Sequence, residues 1–143
     1  MRVLVDTCII IDALQNREPF NAFAQKVFLA AANEKFDGFI TAESVTDIYY
    51  LAHRATHSDK ETRNILLKLF DIFDIVDTYA SDCKNAVFSK VSDYEDAVMI
   101  ETAVRTDMDA IVTRNQKDFS DSSIPVYLPE EFLAIFGGEL RKS

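Results

Sequence analysis

The feature that most constrains the fold is the opening segment, residues 1–8, in which three aliphatic residues run directly into an aspartate. Residues 3–5 form a short apolar run that is typical of a strand buried on both faces, as in a parallel sheet. Asp6 would then lie at the carboxyl end of this strand, just before a helix. Ligands of open α/β sheets bind at that edge. Position alone leaves two interpretations of Asp6 open: a helix N-cap, or a metal-binding or catalytic group.

Apolar patterning along the rest of the chain predicts short strands that alternate with longer helices. Brief apolar runs predict further strands at residues 39–41, 75–76, 110–112 and 125–127, the last at a sheet edge because of its proline. Helical spacing predicts helices at residues 9–14, 20–33, 43–54, 59–73, 81–91 and 94–106, and one from Pro129. This alternation predicts an α/β fold, a three-layer α/β/α sandwich with a central, mainly parallel sheet of about five strands.

We expect residues 1–143 to form one domain, because a chain of this length buries about two-thirds of its unfolded surface. A hydrophobic fraction of 48% and eleven Phe suit a packed core rather than disorder. Two local details are predicted as well. Ser81 caps the helix that begins there, and Gly137-Gly138 ends the last helix before a frayed tail from about residue 139.

The charge of the chain limits how it could bind a nucleic acid. The formal net charge is −9, so bulk electrostatic attraction to a polyanion is not the signal here. A polyanionic substrate would require local basic residues, a bound cation or a partner to offset the negative field. The sequence contains neither GxGxxG nor GxxxxGK[ST], which argues against nucleotide binding through a glycine-rich loop.

Cysteine usage and the N-terminus indicate a cytoplasmic protein. Cys8 and Cys83 are far apart and lack zinc-site spacing, so we expect free thiols, with a single disulfide as the alternative. The sequence does not start with the basic and apolar segments of a signal peptide. No apolar run reaches the length of a membrane span.

Further acidic residues follow the same logic as Asp6. Asp47 lies within an otherwise apolar helical stretch, where Asp is unfavourable and requires a reason. Asp93 and Asp96 begin another predicted helix, and both can be read simply as capping residues. Asp118 follows the fourth strand, as Asp6 follows the first.

Several carboxylates at one sheet edge would repel one another. A hard divalent cation makes such a cluster favourable, and Mg²⁺ and Mn²⁺ prefer oxygen ligands. A cation held in this way can lower the pKa of a water molecule and stabilise charge at a phosphodiester. The spacing of these acids therefore suggests a metal-dependent hydrolase without specifying one.

Taken together, these segments make the chain resemble the PIN domain family, the nuclease fold of VapC-like toxins, over nearly its whole length. The resemblance lies in four segments: Val-Leu-Val-Asp6-Thr, Ser44-Val45-Thr46-Asp47-Ile48-Tyr49-Tyr50, Asp93-Tyr94-Glu95-Asp96-Ala97, and Ile111-Val112-Thr113-Arg114-Asn115 with Lys117-Asp118-Phe119. The four segments occur in this order within the predicted α/β pattern. The resemblance implies a PIN-like fold and a ribonuclease.

The resemblance also implies roles for individual residues. The metal-binding and catalytic positions would be Asp6, Asp47, Asp96 and Asp118. The supporting positions would be Thr7, Asp93, Thr113 and Asn115. The family commonly has an acid where this chain has Asn115, which puts a second metal site in doubt, and Asp118 would substitute for it. Among the basic residues Arg54, Arg63, Lys68, Arg114 and Lys117, the two that flank Asn115, Arg114 and Lys117, are the best candidates for contacts with an RNA backbone.

Two other candidate sites have simpler explanations. Cys8 lies beside Asp6, but no histidine is near it in sequence, so a nucleophilic thiol is the less favoured interpretation. His53 and His57 have the spacing of a zinc site on a helix. They lack the HExxH glutamate, and a surface pair is favoured.

The functional hypothesis is an endoribonuclease that uses Mg²⁺ or Mn²⁺ to hydrolyse RNA phosphodiester bonds. By resemblance it would be the toxin of a toxin–antitoxin pair, a homodimer inhibited by an antitoxin protein. The alternative is a PIN-like module that binds RNA or protein without cleavage because Asn115 weakens metal binding. A third possibility, an Asp-dependent phosphatase, ranks low because Cys8 occupies the position of its second acid.

Overall fold

A computed structural model describes residues 1–136 and shows a five-stranded sheet in which every strand pair is parallel. The strands are β1 (Arg2–Val5), β2 (Asp37–Thr41), β3 (Asp74–Val76), β4 (Ala110–Val112) and β5 (Val126–Tyr127). Their order across the sheet is β3-β2-β1-β4-β5, with β1 at the centre. The predicted parallel sheet is therefore confirmed, including the position of β5 at an edge.

The helices connect the strands as the alternating pattern predicts. They are α1 (Thr7–Leu14), α2 (Asn21–Ala32), α3 (Ala42–Thr56), α4 (Asp59–Ile72), α5 (Ala80–Ala86), α6 (Tyr94–Arg105) and α7 (Pro129–Ile135). A short 3-10 helix at Gln116–Phe119 was not predicted. No helix within residues 1–136 is both long and apolar enough to cross a membrane. The predicted stop at Gly137-Gly138 and the tail from residue 139 lie outside the described residues.

The prediction for α5 was wrong at both ends. The helix ends at Ala86 rather than residue 91, and Ser81 lies inside it rather than at its N-cap. Tyr79 occupies the N-cap position, and its amide donates a hydrogen bond of 3.0 Å to the Asp82 carboxylate. Arg105 of α6 also donates to that carboxylate, at 3.0 Å from Nε, so a buried Asp82 joins α5 to α6.

Side chains of β1 alternate between two hydrophobic cores on opposite faces of the sheet. Val3 and Val5 belong to the larger core with residues of α1, α2, α4 and α7, and Leu4 belongs to the smaller core with residues of α6. All three are essentially inaccessible to solvent. An apolar residue at every position of β1 is thus explained by burial on both faces, and the three-layer architecture is confirmed.

Parallel pairing places the carboxyl ends of β1 and β4 side by side. Val5 pairs with Val112, and the amide of Asp6 continues the ladder by donating to the Val112 carbonyl at 3.0 Å. Thr113, the residue directly after β4, is therefore adjacent to Asp6. On the other side of β1, β2 ends at Thr41 and leads directly into α3. Residues that follow three neighbouring strands or begin their helices converge at one edge of the sheet.

We predict that Gly38→Ala destabilises the fold by about 1–3 kcal/mol, because a Cβ at this position of β2 would overpack the core. The added atom would lie 2.7 Å from Cδ1 of Phe73, a ring that is 1% exposed and cannot easily move. Urea unfolding monitored by circular dichroism measures the change. If the clash is the cause, Phe73→Leu combined with Gly38→Ala should cost less than the sum of the two single changes. Additive losses would contradict this explanation.

Candidate active site

A pocket of about 300 Å³ opens at the carboxyl edge of the sheet, between α3, α6 and the start of α1. Five of its lining residues carry carboxylates. They are Asp6, Glu43, Asp47, Glu95 and Asp96. The other lining residues are Thr7, Ser44, Tyr50, Leu51, Arg54 and Met99. Three residues predicted to bind metal, Asp6, Asp47 and Asp96, therefore share one pocket.

Asp6 occupies the N-cap position of α1, but its side chain makes no capping hydrogen bond. Its Oδ2 instead accepts a hydrogen bond of 2.7 Å from the Thr113 hydroxyl and a longer contact of 3.4 Å from the Cys8 thiol. The carboxylate is 5% exposed. Burial raises the pKa of Asp6 above its ordinary value of 3.8, and the hydrogen bonds from Thr113 and Cys8 oppose that rise. The capping interpretation thus describes the backbone position and not the carboxylate.

Thr113 orients Asp6 from within the core. Its side chain is completely buried, and its hydroxyl donates to Asp6 while accepting from the amide of Asn115 at 3.0 Å. The single O–H donor of Thr113 is therefore directed at the Asp6 carboxylate, while the same oxygen accepts from the backbone. The side chain of Asn115 is exposed at the N-cap of the 3-10 helix.

The first turns of α3 explain the acid within its apolar stretch. Thr41 caps the helix by accepting from the Ser44 amide at 3.2 Å, which fixes where α3 begins. Glu43 and Asp47 lie one turn apart on the same face and both line the pocket. Burial and the negative charge of Asp47 raise the pKa of Glu43. Asp47 lies on the face of α3 that lines the pocket, which explains an acid within an otherwise apolar stretch.

Asp93 and Asp96 have different roles: Asp93 caps a helix, and Asp96 lines the pocket. Asp93 caps α6, since its Oδ1 accepts from the Asp96 amide at 3.1 Å, and the capping interpretation is confirmed for it. The Asp96 carboxylate lines the pocket. Burial, and then the negative charges of Asp6 and Asp93, raise the pKa of Asp96 from 3.8 to about 7. A carboxyl group with this pKa is protonated in part at neutral pH unless a cation lies close to it.

Two acids that the residue-level prediction did not include, Glu43 and Glu95, complete the pocket. A hydrogen bond with Asp47 and burial raise the pKa of Glu95 from 4.5 to about 7. The sequence contained a signal for Glu43, one turn before Asp47 on α3. Glu95 sits beside Asp96 in the first turn of α6, where spacing alone does not decide which side chain faces the sheet.

The predicted site residues that follow Thr113 do not line the pocket. They are Arg114, Asn115, Lys117 and Asp118. Asp118 lies outside the residues that line the pocket, yet its charge contributes to the raised pKa of Asp96, so the two acids are near each other. Lys117 is exposed on the 3-10 helix. Arg114 forms an ion pair of 2.7 Å with the buried Asp12 of α1, and its guanidinium lies 4.1 Å from the centroid of the Phe20 ring. Arg114 is therefore held by protein groups away from the pocket.

The alternative sites receive little support from the structure. Cys8 and Cys83 are both free thiols. Burial and the charge of Asp6 raise the pKa of the Cys8 thiol to about 12, which keeps it protonated and non-nucleophilic near neutral pH. His57 ends α3 in a left-handed conformation with φ of 54°, and His53 stacks on Tyr49 with centroids 5.7 Å apart. These positions match the surface pair rather than a zinc site.

The donor set of the pocket fits a hard divalent cation. Five carboxylates, joined by the hydroxyls of Thr7 and Ser44, offer only oxygen ligands, which Mg²⁺ and Mn²⁺ prefer. Within residues 1–136, no three Asp, Glu, His or Cys side chains are arranged as a ready ligand group. Neighbouring carboxylates repel one another, and a bound cation would offset that repulsion. The assignment of Asp6, Asp47, Asp96 and Asp118 as metal ligands stays a prediction. A shared pocket supports it for Asp6, Asp47 and Asp96, and raised pKa values support it for Asp6 and Asp96.

Comparison with known proteins relates this pocket to a family. A family model described as the PIN domain matches residues 2–117, most of the chain. No curated protein matches the sequence significantly.

Similar solved structures share the fold at low sequence identity. A toxin–antitoxin complex from Klebsiella pneumoniae has a TM-score of 0.64 and 23% identity, covering 89% of this chain and 97% of that chain. VapBC2 from Rickettsia felis, bound to a DNA fragment from its promoter, has a TM-score of 0.61 and 15% identity, covering 90% and 98%. VapC20 from Mycobacterium tuberculosis, a toxin that cleaves the sarcin–ricin loop, has a TM-score of 0.60 and 11% identity, covering 76% and 86%.

We predict that the metal-free protein loses stability as pH rises from about 4 to about 7. The pKa values of Asp96 and Glu95 are raised to about 7 in the folded state, so the folded chain binds more protons than the unfolded chain across this window. The melting temperature in EDTA should fall by several degrees between pH 4.5 and pH 7.5. Asp96→Asn should flatten this slope, whereas Asp71→Asn, at an exposed carboxylate on α4, should leave it as in the wild type. A wild-type melting temperature that is constant or rises over this range would contradict the prediction.

Proposed function

The chain belongs to the PIN domain family, and from this premise we propose that it is a Mg²⁺- or Mn²⁺-dependent endoribonuclease. The observation that carries the proposal is the acidic pocket at the carboxyl edge of the sheet, with Asp6, Asp47 and Asp96 on three different elements. This arrangement would hold hard cations against a phosphodiester. The TM-score of 0.60 with a toxin that cleaves the sarcin–ricin loop supports RNA as the substrate class.

Each pocket residue would have a distinct task. Asp6, held by the Thr113 hydroxyl at 2.7 Å, would present a fixed oxygen at the centre of the site. Asp47 and Asp96 would provide the facing oxygens from α3 and α6, with Asp118 nearby, and Asp93 would keep α6 in register through its cap. Thr7 lines the pocket beside Asp6, where its hydroxyl would orient water or a phosphate oxygen.

A divalent cation in this pocket would lower the pKa of a water molecule and offset negative charge at the phosphodiester. The residues of the chain would supply the rest. The carboxylates of α3 and α6 would position the ion, and the buried Asp6–Thr113 hydrogen bond would hold its ligand geometry. Such a cation would also counter the net charge of −9, which otherwise opposes binding of a polyanion.

We further propose that the protein acts in the cytoplasm as the toxin of a toxin–antitoxin pair, binds an antitoxin protein and forms a homodimer. The support is the family together with the fold likeness to VapBC2 and to the Klebsiella pneumoniae toxin–antitoxin complex. A short reading frame for a DNA-binding protein beside this gene would strengthen the proposal.

One observation favours a second candidate function, a PIN module that binds RNA or protein without cutting. Asn115 stands where the family commonly has an acid, and its exposed amide brings no charge to the pocket. If Asp118 does not replace that charge, metal affinity would be reduced and binding could survive without turnover.

We expect Mg²⁺ to raise the melting temperature of the wild type, because an ion that binds only the folded state stabilises it by mass action. At a free concentration 100 times the dissociation constant the gain is about 2.7 kcal/mol. Asp96→Asn should reduce the shift, and Asp71→Asn should preserve it. Differential scanning calorimetry measures the shift for each variant, with and without about 10 mM MgCl₂, a concentration that would saturate a site of useful affinity. Identical curves for the wild type would argue against a metal site of useful affinity.

We predict that Asp6→Asn lowers cleavage of a mixed single-stranded RNA by about 10²-fold or more while the fold holds, since the change removes one ligand charge and keeps the shape. The measurement is RNA cleavage on denaturing gels with EDTA, Mg²⁺ or Mn²⁺. Asn115→Asp should tighten metal binding and raise turnover.

Asp71→Asn is the matched control and should cleave like the wild type. Equal activity of the wild type and Asp6→Asn would assign the cleavage to a contaminant or a different site. Binding of RNA without cleavage by every variant except Asn115→Asp would select the binding module instead.

A further inference from the structure

We infer that the outer part of the pocket, the face of α3 formed by Tyr50 and Arg54, binds a nucleotide next to the cleaved phosphodiester of an unpaired RNA. Tyr50 would stack on the base and Arg54 would bind the phosphate. This inference rests on the proposed ribonuclease function and adds two positioning residues to it.

The face of α3 that lines the pocket is acidic at its N-terminal end and carries an aromatic and a basic residue further along. Glu43 and Asp47 lie at its N-terminal end beside the sheet edge, followed on the same face by Tyr50 and Arg54. At 1.5 Å per residue, Arg54 lies about 10 Å along the helix axis from Asp47. A substrate held at the acids would therefore extend along α3 past an aromatic ring to a cation.

Tyr50 is an exposed aromatic ring that is held by its neighbours. Its side chain is 64% exposed, and its ring packs edge-on against Tyr49 with centroids 5.2 Å apart. Tyr49 is fixed in turn, since its hydroxyl donates to Asp59 of α4 and its ring stacks on His53. Large exposed apolar surfaces of this kind on a rigid support suit base stacking, which needs a π-face and no specific hydrogen bonds.

Arg54 is the cation among the residues that line the acidic pocket. It forms no ion pair with any residue in the described range 1–136, although carboxylates line the same pocket. Arg114, by contrast, is already paired with Asp12. The guanidinium of Arg54 therefore remains available for an external anion, and its fork of donors matches a phosphate.

These two residues together select for unpaired RNA. A base can stack on Tyr50 only when it is splayed out of a helix, because bases within a duplex already stack on one another. The spacing of Tyr50 and Arg54, one helical turn or about 6 Å, brings a stacked base and a phosphate within reach of the same nucleotide. Duplex RNA would present its phosphates to Arg54 without a base for Tyr50.

The test measures binding of a labelled single-stranded RNA by fluorescence anisotropy in the Asp6→Asn background with Mg²⁺, at several salt concentrations. Tyr50→Ala should weaken binding roughly ten-fold or more, and Tyr50→Phe should retain it because the ring remains. Arg54→Gln should weaken binding and reduce the slope of log affinity against log salt by about 0.7, as expected for one lost phosphate contact. Lys35→Gln is the matched control, since Lys35 precedes β2 at the opposite edge of the sheet and its loss should change neither quantity.

A duplex of the same sequence should bind more weakly and be insensitive to Tyr50→Ala. The inference is overturned if the Tyr50 and Arg54 variants bind like their parent while wild-type protein cleaves RNA and Asp6→Asn does not, and the proposed function then stands alone. It is also overturned if duplex and single strand bind equally. If the wild type neither binds nor cleaves RNA, the proposed function fails and the inference fails with it. Melting curves verify that each variant folds.

Discussion

The site depends on the parallel pairing of β1 with β4. This pairing sets Thr113 beside Asp6, and the hydroxyl of Thr113 then holds the carboxylate at 2.7 Å inside a nearly closed environment. Without that donor, the buried Asp6 carboxylate would lose its side-chain hydroxyl partner and keep only the Cys8 thiol and the Thr7 amide, and its burial would favour the neutral form. The strand register therefore places the donor that orients the central acid and opposes the rise of its pKa. The remaining acids are arranged around this fixed point by the ends of α3 and α6.

Crowding of acids sets the pocket apart from the remainder of the molecule. Elsewhere a buried carboxylate has a cationic partner: Asp12 has Arg114, and Asp82 has Arg105. In the pocket, the carboxylates face one another instead, and the pKa values of Glu95 and Asp96 rise to about 7. Such an arrangement is unfavourable for the fold by itself, and functional sites are where it is commonly found. The contrast between these paired acids and the crowded acids of the pocket supports a cation as the balancing group.

The sequence was sufficient to predict the order of strands and helices and the convergence of Asp6, Asp47 and Asp96, because both follow from apolar periodicity and from where parallel strands end. The sequence was insufficient to predict contacts that depend on how the helices and strands pack against one another. The sequence did not indicate that the guanidinium of Arg114 pairs with Asp12, a buried acid on α1 that lies 102 positions away, and the predicted contact of Arg114 with RNA stays a prediction. Glu95 was not assigned to the site because the rotation of α6 decides which side chains of its first turn face the pocket. The start of α5 was mispredicted because Asp82 accepts from the amide of Tyr79, which makes Tyr79 the N-cap and places Ser81 inside the helix.

Asp6 and its hydrogen-bond donor Thr113 lie 107 positions apart in the sequence. This separation has a consequence during synthesis of the protein. Ribosomes add about 5–20 residues per second, so a nascent chain carries Asp6 for about 5–20 s before Thr113 is made. Strand β4 must also emerge and dock on β1 before the two meet. Fragments that stop short of β4 contain all five acids of the pocket and lack the hydroxyl that orients the first of them. The oriented carboxylate of Asp6 therefore forms only after β4 has been made and has docked on β1, late in the synthesis of the chain.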